Sequence, residues 1–352
     1  MKTKCRYVMT NIPAMGKHKL FLIILVSMAI LLMLAMHVTN SNDVNIPTEY
    51  QHIHLKHINK NLEELQSDPD YSKLINISFS FMHLPLVCKD ESPLFIVIVH
   101  TAPGNFEKRK VIRQTWADKA NKVKVLFATG LVTDENVQNK IEEEYETEGD
   151  FLQGNFIDSY HNLTYKHVML LKYMVHHCPN VQYLVKLDDD VFVNMPNLKT
   201  FLHLYDIENK DSEKILCSRM YGNPVLREGR WGVPIEEYPD SFYPYHCSGF
   251  AVIYPRAAIF KLNSEAQKTN YFWIDDVFVS GILAKGAKIT HTGIENLILS
   301  NNDVINIVDK HFVNITKPFL FGRMNLDPHQ IKSLWDFVSH HTPKVSILEY
   351  LG

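Results

Sequence analysis

The sequence contains no Gly-x-Gly-x-x-Gly and no Gly-x-x-x-x-Gly-Lys-Ser/Thr. Dinucleotide-binding and P-loop readings therefore lack the glycine-rich backbone that cradles their phosphates. No two cysteines stand at Cys-x-x-Cys spacing, which removes zinc-ribbon and thioredoxin-type chemistry. The chain has 18 histidines, but they scatter, and none falls into His-Glu-x-x-His. A net charge of −3, with no basic patch interleaved with aromatics, argues against a nucleic-acid partner. There is no internal repeat and no low-complexity tract. What remains is a globular composition, 46% hydrophobic and 21% charged, over 352 residues. That length holds one large domain with attachments, or two ordinary domains.

The N-terminal region departs from that ordinary background. Residues 20–36 are apolar apart from one serine, and Val38 extends the run past His37. At about 1.5 Å per residue such a helix just crosses a thin bilayer. Lys2, Lys4, Arg6, Lys17 and Lys19 precede it, and no acidic residue occurs before Asp43. The positive-inside rule keeps residues 1–19 cytosolic, makes 20–38 a transmembrane anchor and sends the rest across the membrane. A cleaved signal peptide is the competing reading, but it prefers a shorter apolar core and a small-x-small cleavage site. A short span suits the thin membranes of the early secretory route and Golgi. Acceptor sequons at Asn76, Asn162 and Asn314 fit a lumenal body. So does the even number of cysteines beyond the anchor: Cys88, Cys178, Cys217 and Cys247. Three connectivities are open to them, and spacing does not choose.

Residues 39–91 are polar with little apolar periodicity and read as a stem, leaving 92–345 as the lumenal domain. The apolar run at 94–99 and the segments 123–128, 156–157 and 183–187 predict strands. Helices are predicted over about 106–117, capped by Asn105, over 134–148 and over 162–177, the last presenting Leu163, Leu170, Leu171 and Met174. A strand at 250–254 and helices at 256–263 and 275–285 follow. Alternation of this kind predicts an α/β domain with a mostly parallel sheet, ligands binding beyond the carboxyl ends of the strands. Between them, residues 219–247 are rich in Gly, Pro, Tyr and Trp. Such a stretch suits a sugar-stacking acceptor groove, for which Trp231, Tyr245, Gly249 and Trp273 are the expected residues. The bland alternative is a structural loop pinned by Cys217 and Cys247.

Three groups of residues can carry chemistry. Asp188-Asp189-Asp190 ends an apolar strand, and carboxylates at i and i+2 there can aim at one point. One can hold Mg²⁺ or Mn²⁺ and another a ribose, diphosphate oxygens completing the metal shell. A solvated cap is the alternative, but Val-Lys-Leu and Val-Phe-Val flank the triplet. The Asp-x-Asp-x-Thr/Val pattern of haloacid-dehalogenase-type phosphatases fits poorly, because Phe192 occupies the fifth position. Arg109, Arg113 and Trp116 share one helix face and could meet phosphates, unless that helix is merely basic and solvent-facing. Asp275-Asp276 opens an apolar helix, where one can cap and the other project into a site. Inverting sugar transfer needs one carboxylate to take the acceptor hydroxyl's proton.

These residues resemble the β1,3-galactosyltransferase/β1,3-N-acetylglucosaminyltransferase family. Residues 105–116 (Asn-Phe-Glu-Lys-Arg-Lys-Val-Ile-Arg-Gln-Thr-Trp) resemble its Arg-x-x-x-Arg-x-Thr-Trp motif, and residues 156–166 its Asp-x-Tyr-x-Asn-Leu-Thr-x-Lys motif. Residues 186–194 resemble its Asp-x-Asp segment, 243–252 its Tyr-Pro-x-Tyr-x-x-Gly-x-Gly-Tyr segment, and Asp275-Asp276-Val277 with Gly281 its Glu-Asp-Val-x-x-Gly segment. The resemblance implies a GT-A-like nucleotide-sugar-binding fold and a type II Golgi membrane protein. It implies inversion at the sugar carbon, with UDP-galactose or UDP-N-acetylglucosamine as donor, an oligosaccharide as acceptor and Mn²⁺ or Mg²⁺ as cofactor. Carried over, Asp188 and Asp190 serve nucleotide and metal. Arg109, Arg113, Lys166, Lys186 and Asp189 shape the donor site, and Asp276 is the base beside Asp275. The implied disulfides are Cys178–Cys247 and Cys88–Cys217. Departures are Asp275 in place of Glu, Phe250 and Ala251 in a small-residue segment, and no histidine in residues 319–328. The rival to an active transferase is a non-catalytic relative that binds sugar or UDP as a chaperone or lectin-like protein. A phosphatase or sugar hydrolase ranks third.

Overall fold

The computed structural model describes residues 70–209, 212–309 and 317–340, all within the unit Ile53–Gly352. The expected cytosolic tail, the apolar run at 20–38, the expected stem up to residue 69 and Asn314 lie outside the described residues. Among the described residues, no helix is long and apolar enough to cross a membrane. Apart from short turns, the elements in chain order are β1 (Lys73–Leu74), β2 (Ile77–Ser78), β3 (Phe81–His83), β4 (Phe95–His100), α1 (Phe106–Arg113), β5 (Lys124–Leu131), α2 (Glu135–Glu148), β6 (Phe151–Ile157), α3 (Leu163–His177), β7 (Tyr183–Asp188), α4 (Met195–Glu208), β8 (Ile215–Met220), β9 (His246–Pro255), α5 (Arg256–Ala266), a π-helix (Val277–Leu283), β10 (His291–Gly293), α6 (Asn301–Val308) and α7 (Pro328–His340).

Eight strands form one sheet in the order β10-β8-β9-β7-β4-β5-β6-β3. Its centre, β7-β4-β5-β6, is parallel, as the alternating pattern predicts. The flanks differ from the expected mostly parallel sheet. β9 runs antiparallel to both β7 and β8, and β3 antiparallel to β6, so the sheet is mixed. All six residues of β4 are buried, because helices cover both faces. Phe95, Val97 and Val99 join the large core with Ile112, Leu198, Phe201, Ile331 and Leu334 from the helices of one face. Ile96 and Ile98 alternate to the other face. There α3 packs against β4, β5 and β6 and against α5. Accordingly α3 buries residues on every side, Thr164 through His176, rather than one apolar stripe.

Residues 70–91 are expected in the stem, yet here they belong to the body. Tyr71, Leu74, Ile75 and Phe79 are buried, and β3 is the outermost strand beyond β6. The cysteine pairing also differs from the one the resemblance implies. The bonds are Cys88–Cys178 and Cys217–Cys247, with Cα atoms 5.3 and 5.6 Å apart. Such a bond needs Cα atoms within roughly 4.4–6.8 Å. Cys217 and Cys247 lie on the adjacent strands β8 and β9, whose register shifts between Cys217 and Arg219. Cys178, the residue that ends α3, meets the 84–90 loop instead.

Candidate functional site

The carboxyl ends of β4, β5 and β7 and the start of β9 meet at one edge of the sheet. Beyond His100, the 101–104 turn is fixed from beneath. Lys166, buried in the first turns of α3, donates to Thr101 O (2.7 Å) and pairs with Asp158 (2.7 Å). Asp158 also accepts from Thr129 Oγ1 and Gly130 N, both at 2.7 Å, which ties the end of β5 to the same point. Lys166 thus lies in the floor of the expected site, with its ammonium already engaged.

The three aspartates after β7 separate into three roles. Asp189 is buried and saturated: Thr101 Oγ1 (2.7 Å), Asn105 Nδ2 (2.7 Å) and Lys108 Nζ (2.9 Å) all donate to it. Its carboxylate therefore holds the 101–105 turn rather than facing a donor. Asn105 spends its side chain there and makes no side-chain cap on α1, contrary to expectation. Asp188 is half-exposed and accepts from Lys186 Nζ at 2.7 Å. Asp190 has a buried Oδ1 with no hydrogen-bond partner among the described residues. Burial, then the neighbouring Asp188 charge, pushes its pKa up. An orphaned buried carboxylate oxygen two residues from a half-exposed carboxylate is a set that a hard divalent cation satisfies. Among the described residues no group of three or more His, Cys, Asp or Glu could hold a metal. The remaining positions would fall to ligand oxygens and water, as Mg²⁺ and Mn²⁺ tolerate. The segment after Phe319 runs alongside: Leu326 N donates to Asp190 O (3.0 Å) and Gly322 N to Phe192 O (2.7 Å). No histidine lies in it.

Lys186 joins the aspartates to the second acidic pair. Its Nζ also donates to Gly249 O at 2.6 Å. Burial alone would lower this lysine's pKa, but Asp188, Asp275 and Asp276 outweigh it and hold it high. Gly249 packs closely here: a Cβ there would stand 3.0 Å from Asp276 Cβ, so the aspartate would have to give way. Asp275 accepts from His167 Nδ1 at 2.8 Å, and His167 Nε2 lies 2.9 Å from the Tyr254 hydroxyl. A carboxylate only accepts, so Nδ1 carries the proton, and neutral Nε2 takes the tyrosine's. Burial lowers the His167 pKa and raises that of Tyr254 far above its usual value, which keeps both neutral. Burial would raise Asp275, but the His167 hydrogen bond and Lys186 reverse it and hold Asp275 well below the usual carboxylate range. Asp276 goes the other way: burial and the Asp275 charge push it up to about 7. Two adjacent carboxylates pushed apart in pKa make one a fixed charge and the other a base poised near neutrality. Asp276 caps the π-helix as well, its Oδ1 accepting from Val277 N at 2.8 Å. The helix expected at 275–285 is π-type over Val277–Leu283, a geometry frequent at functional sites.

The expected acceptor residues split into two groups. Trp231 donates its indole N–H to the Tyr160 hydroxyl. Tyr160 and His161 lie 6.0 and 4.6 Å from the Trp273 ring, so Trp231 and Trp273 share one aromatic wall. Phe272, next to Trp273, packs with Tyr238 and Tyr243. Tyr245 is elsewhere, edge-on to Tyr221 at 5.4 Å.

The two arginines also differ from expectation. Arg109 is fully buried, forks onto Glu144 (2.7 and 3.0 Å) and donates to Ala102 O and Pro103 O. Arg113 pairs with Glu144 (2.5 Å) and Asp150 (2.8 Å). Asp134 caps α2 through Asn136 N and Val137 N, and that helix carries Glu144 to them. Their helix face points into protein, with Trp116 fully buried, so it is neither solvent-facing nor open to phosphates. Arg109 reaches the site only by holding the 101–104 turn.

Asp158, His167, Tyr254 and Tyr160 escaped the sequence reading as site residues. Asp158 and Tyr160 stand inside the segment compared with the family motif, so a signal existed for them. His167 and Tyr254 gave none, because His167 lies just past the motif segment, after Lys166, and Tyr254 near the end of an apolar strand. Of the sequons, Asn76 is exposed on the β1–β2 turn, while Asn162 is half-buried and donates its amide to Ile157 O at 2.8 Å.

A model of the galactosyltransferase family matches residues 107–295, just over half of the 352-residue chain. Beta-1,3-galactosyltransferase 1 of Mus musculus is 31% identical over 215 residues, 59% of this chain and 65% of that protein. Lactosylceramide 1,3-N-acetyl-beta-D-glucosaminyltransferase B of Xenopus laevis is 34% identical over 212 residues, 56% of this chain and 55% of that protein. The chain thus spans less than two thirds of the length of these curated relatives. Among solved structures, mouse xyloside xylosyltransferase 1 in its apo form aligns over 66% of this chain and 98% of that chain, at 12% identity and a TM-score of 0.34.

Proposed function

The chain belongs to the galactosyltransferase family, and from that premise we propose that it is a β1,3-hexosyltransferase. It transfers galactose, or N-acetylglucosamine, from a UDP-sugar to a glycan on glycoprotein or glycolipid, within a GT-A-type fold. The observation that carries this reading is the linkage of two acidic sites through Lys186. Its ammonium bonds Asp188 on the donor side and the Gly249 carbonyl, and Gly249 packs against Asp276. A base poised near neutrality therefore stands beside a pair of carboxylates fit for a diphosphate-bound cation.

In this mechanism the acceptor sits against the Trp231–Tyr160–Trp273 wall. Asp276 takes the proton of the acceptor hydroxyl as its oxygen bonds to the anomeric carbon of the donor sugar. The bond from that carbon to the UDP oxygen breaks on the opposite face, so the configuration inverts. Asp188 and Asp190 would hold Mn²⁺ or Mg²⁺, which when bound neutralises charge on the departing diphosphate. Asp275 stays ionised and holds Asp276 protonatable near pH 7, and Lys186 keeps the acidic residues from repelling one another apart. The apolar run at 20–36 and the basic residues before it support a type II anchor with the body in the Golgi lumen.

The test is transfer by the full chain in detergent against a panel of UDP-sugars, with Mn²⁺ and with EDTA. Asp190→Ala and Asp276→Asn run alongside, and UDP binding is measured by calorimetry. Metal-dependent conversion of one UDP-sugar to a glycoside, lost in both variants, is the expected result. UDP binding without transfer to any acceptor would favour the non-catalytic reading, to which the histidine-free segment beside Asp190 lends its support.

A further inference from the structure

The displaced Tyr245 marks a second cleft. A cavity of about 760 Å³ opens between the end of β8, the start of β9 and the far side of the π-helix. That volume lies in the roughly 300–1,000 Å³ range of small-ligand pockets. Tyr221 and Tyr245 line it, 57% and 68% exposed, with ring planes nearly perpendicular. Two large aromatics left open to water beside a concave surface are an unusual expense for a fold that buries most of its other rings.

The polar wall of the cleft has a definite character. Arg219 is paired with Glu295 at 3.0 Å, so an anionic ligand would meet a carboxylate beside the cation. His246 Nδ1 lies 2.8 Å from Pro244 O and His291 Nε2 2.6 Å from Ser280 O. Carbonyls only accept, so these nitrogens donate, and the opposite nitrogen of each ring is left as an acceptor. Burial lowers both histidines, which keeps them uncharged. Thr290 and Lys285 add donors at the edge. Exposed aryl faces with neutral acceptors, donors and a paired Arg219 complement a polyhydroxylated ligand, and Lys285 is the remaining cation at the edge.

The cleft adjoins the transfer site across the π-helix. Gly281 lines it, and a Cβ at Gly281 would stand 3.1 Å from both His246 and Pro244. Ser280, the residue before it, donates to Asp276 O at 2.6 Å and accepts from Cys247 N at 2.8 Å. One side of the π-helix therefore presents Asp276, and the other side walls the cleft. The Cys217–Cys247 bond ties its two strands together next to Tyr221 and Tyr245.

We propose that this cleft is a second carbohydrate subsite, which holds neutral sugar residues of a glycan whose reacting end lies at Asp276. The role as an acceptor extension rests on the transferase reading above, but glycan binding by the cleft does not. The test separates them. The full chain in detergent, without donor, is titrated with a tetrasaccharide of two N-acetyllactosamine units and with N-acetyllactosamine itself, by saturation-transfer NMR. Wild type, Asp276→Asn, Tyr221→Ala and Tyr245→Ala are compared, and thermal melts confirm that the exposed-residue variants fold.

Wild type and Asp276→Asn should both bind the tetrasaccharide, and each tyrosine variant should bind it about tenfold more weakly than wild type. Binding of the disaccharide should not change. In transfer assays, KM for the tetrasaccharide should rise by a similar factor in the tyrosine variants, with kcat unchanged. No binding of the tetrasaccharide by wild type would overturn the proposal. So would tyrosine variants that bind it normally, or that lose both probes equally. Were wild type to show no transfer at all, tyrosine-dependent binding would still support the cleft, and only its acceptor role would fall with the transferase reading.

Discussion

Two charged clusters in this molecule look alike in the sequence and differ in the structure. One is Arg109, Arg113, Glu144 and Asp150; the other is Lys186, Asp188, Asp190, Asp275 and Asp276. In the first, the two cations fork onto the two carboxylates at 2.5 to 3.1 Å, and the residual Arg109 donors meet backbone carbonyls. Each charge is matched by an opposite one. In the second, four carboxylates share one lysine. One Asp190 oxygen has no partner among the described residues, and Asp276 is pushed up to about 7. A closed cluster builds structure, whereas an unbalanced one retains free energy that a ligand or a proton can release. The comparison teaches that the residue types do not report function; their state of satisfaction does.

The largest expected effect that sharpens the contrast is Asp276→Asn. Loss of a general base should lower kcat by about 10²–10⁴-fold, with UDP binding retained in calorimetry. Retained turnover would remove Asp276 from the chemistry. Arg109→Met should have the opposite signature. Leaving Glu144 with half its partners should cost about 3–5 kcal/mol of stability, read as a lowered denaturation midpoint. Transfer by the folded fraction should fall far less than in Asp276→Asn. A kinetic collapse without destabilisation would mean that the closed cluster acts on substrate after all.

The pH dependence offers a finer test. A base raised to about 7 requires kcat/KM to fall as pH drops through that region, because only the ionised form accepts a proton. Asp275→Asn removes the adjacent negative charge, so Asp276 should ionise more readily and the acid limb should move to lower pH. An unmoved limb would break the assignment of the two carboxylates to opposite roles. The smallest effect belongs to Tyr254→Phe. It deletes one hydrogen bond to neutral His167, a loss of about 0.5–1.5 kcal/mol. The acid limb should shift by less than in Asp275→Asn, and the disulfide-linked fold should be unaffected in peptide mapping of Cys88–Cys178 and Cys217–Cys247.

Much of the parallel centre could be read in advance, for a simple reason. A strand buried on both faces must be largely apolar, and residues 94–99 are an uninterrupted run, while 183–187 are broken only by Lys186; Pro-Gly and Asp-Asp-Asp follow them. The flanking antiparallel strands were harder. β8 contains Cys-Ser-Arg, and β3 is only three residues long, although Ile77-Ser-Phe-Ser-Phe81 leading into it alternates apolar and polar residues. α4 opens with Met-Pro-Asn after a turn and carries little amphipathic signal, and so it went unpredicted. The order of motifs marked the two acidic sites, but the cysteine pairing expected from the resemblance is not the one formed. Pairing depends on which strands lie side by side, and that was decided by β8 taking the place next to β9.

By itself the sequence determined which chemical groups are available and roughly where the chain turns: carboxylates at strand and helix ends, an apolar segment for a membrane, aromatics in an irregular stretch. Those are local properties, set by side-chain type and by periodicities of two and 3.6 residues. Only the tertiary structure decided which charges cancel. It brought Glu144 and Asp150 to the arginines, aligned His167 and Tyr254 behind Asp275, and turned Tyr245 away from Trp231 into a cleft of its own. Electrostatic balance and burial are set by contacts between residues some 30 to 110 positions apart, and no local pattern records them.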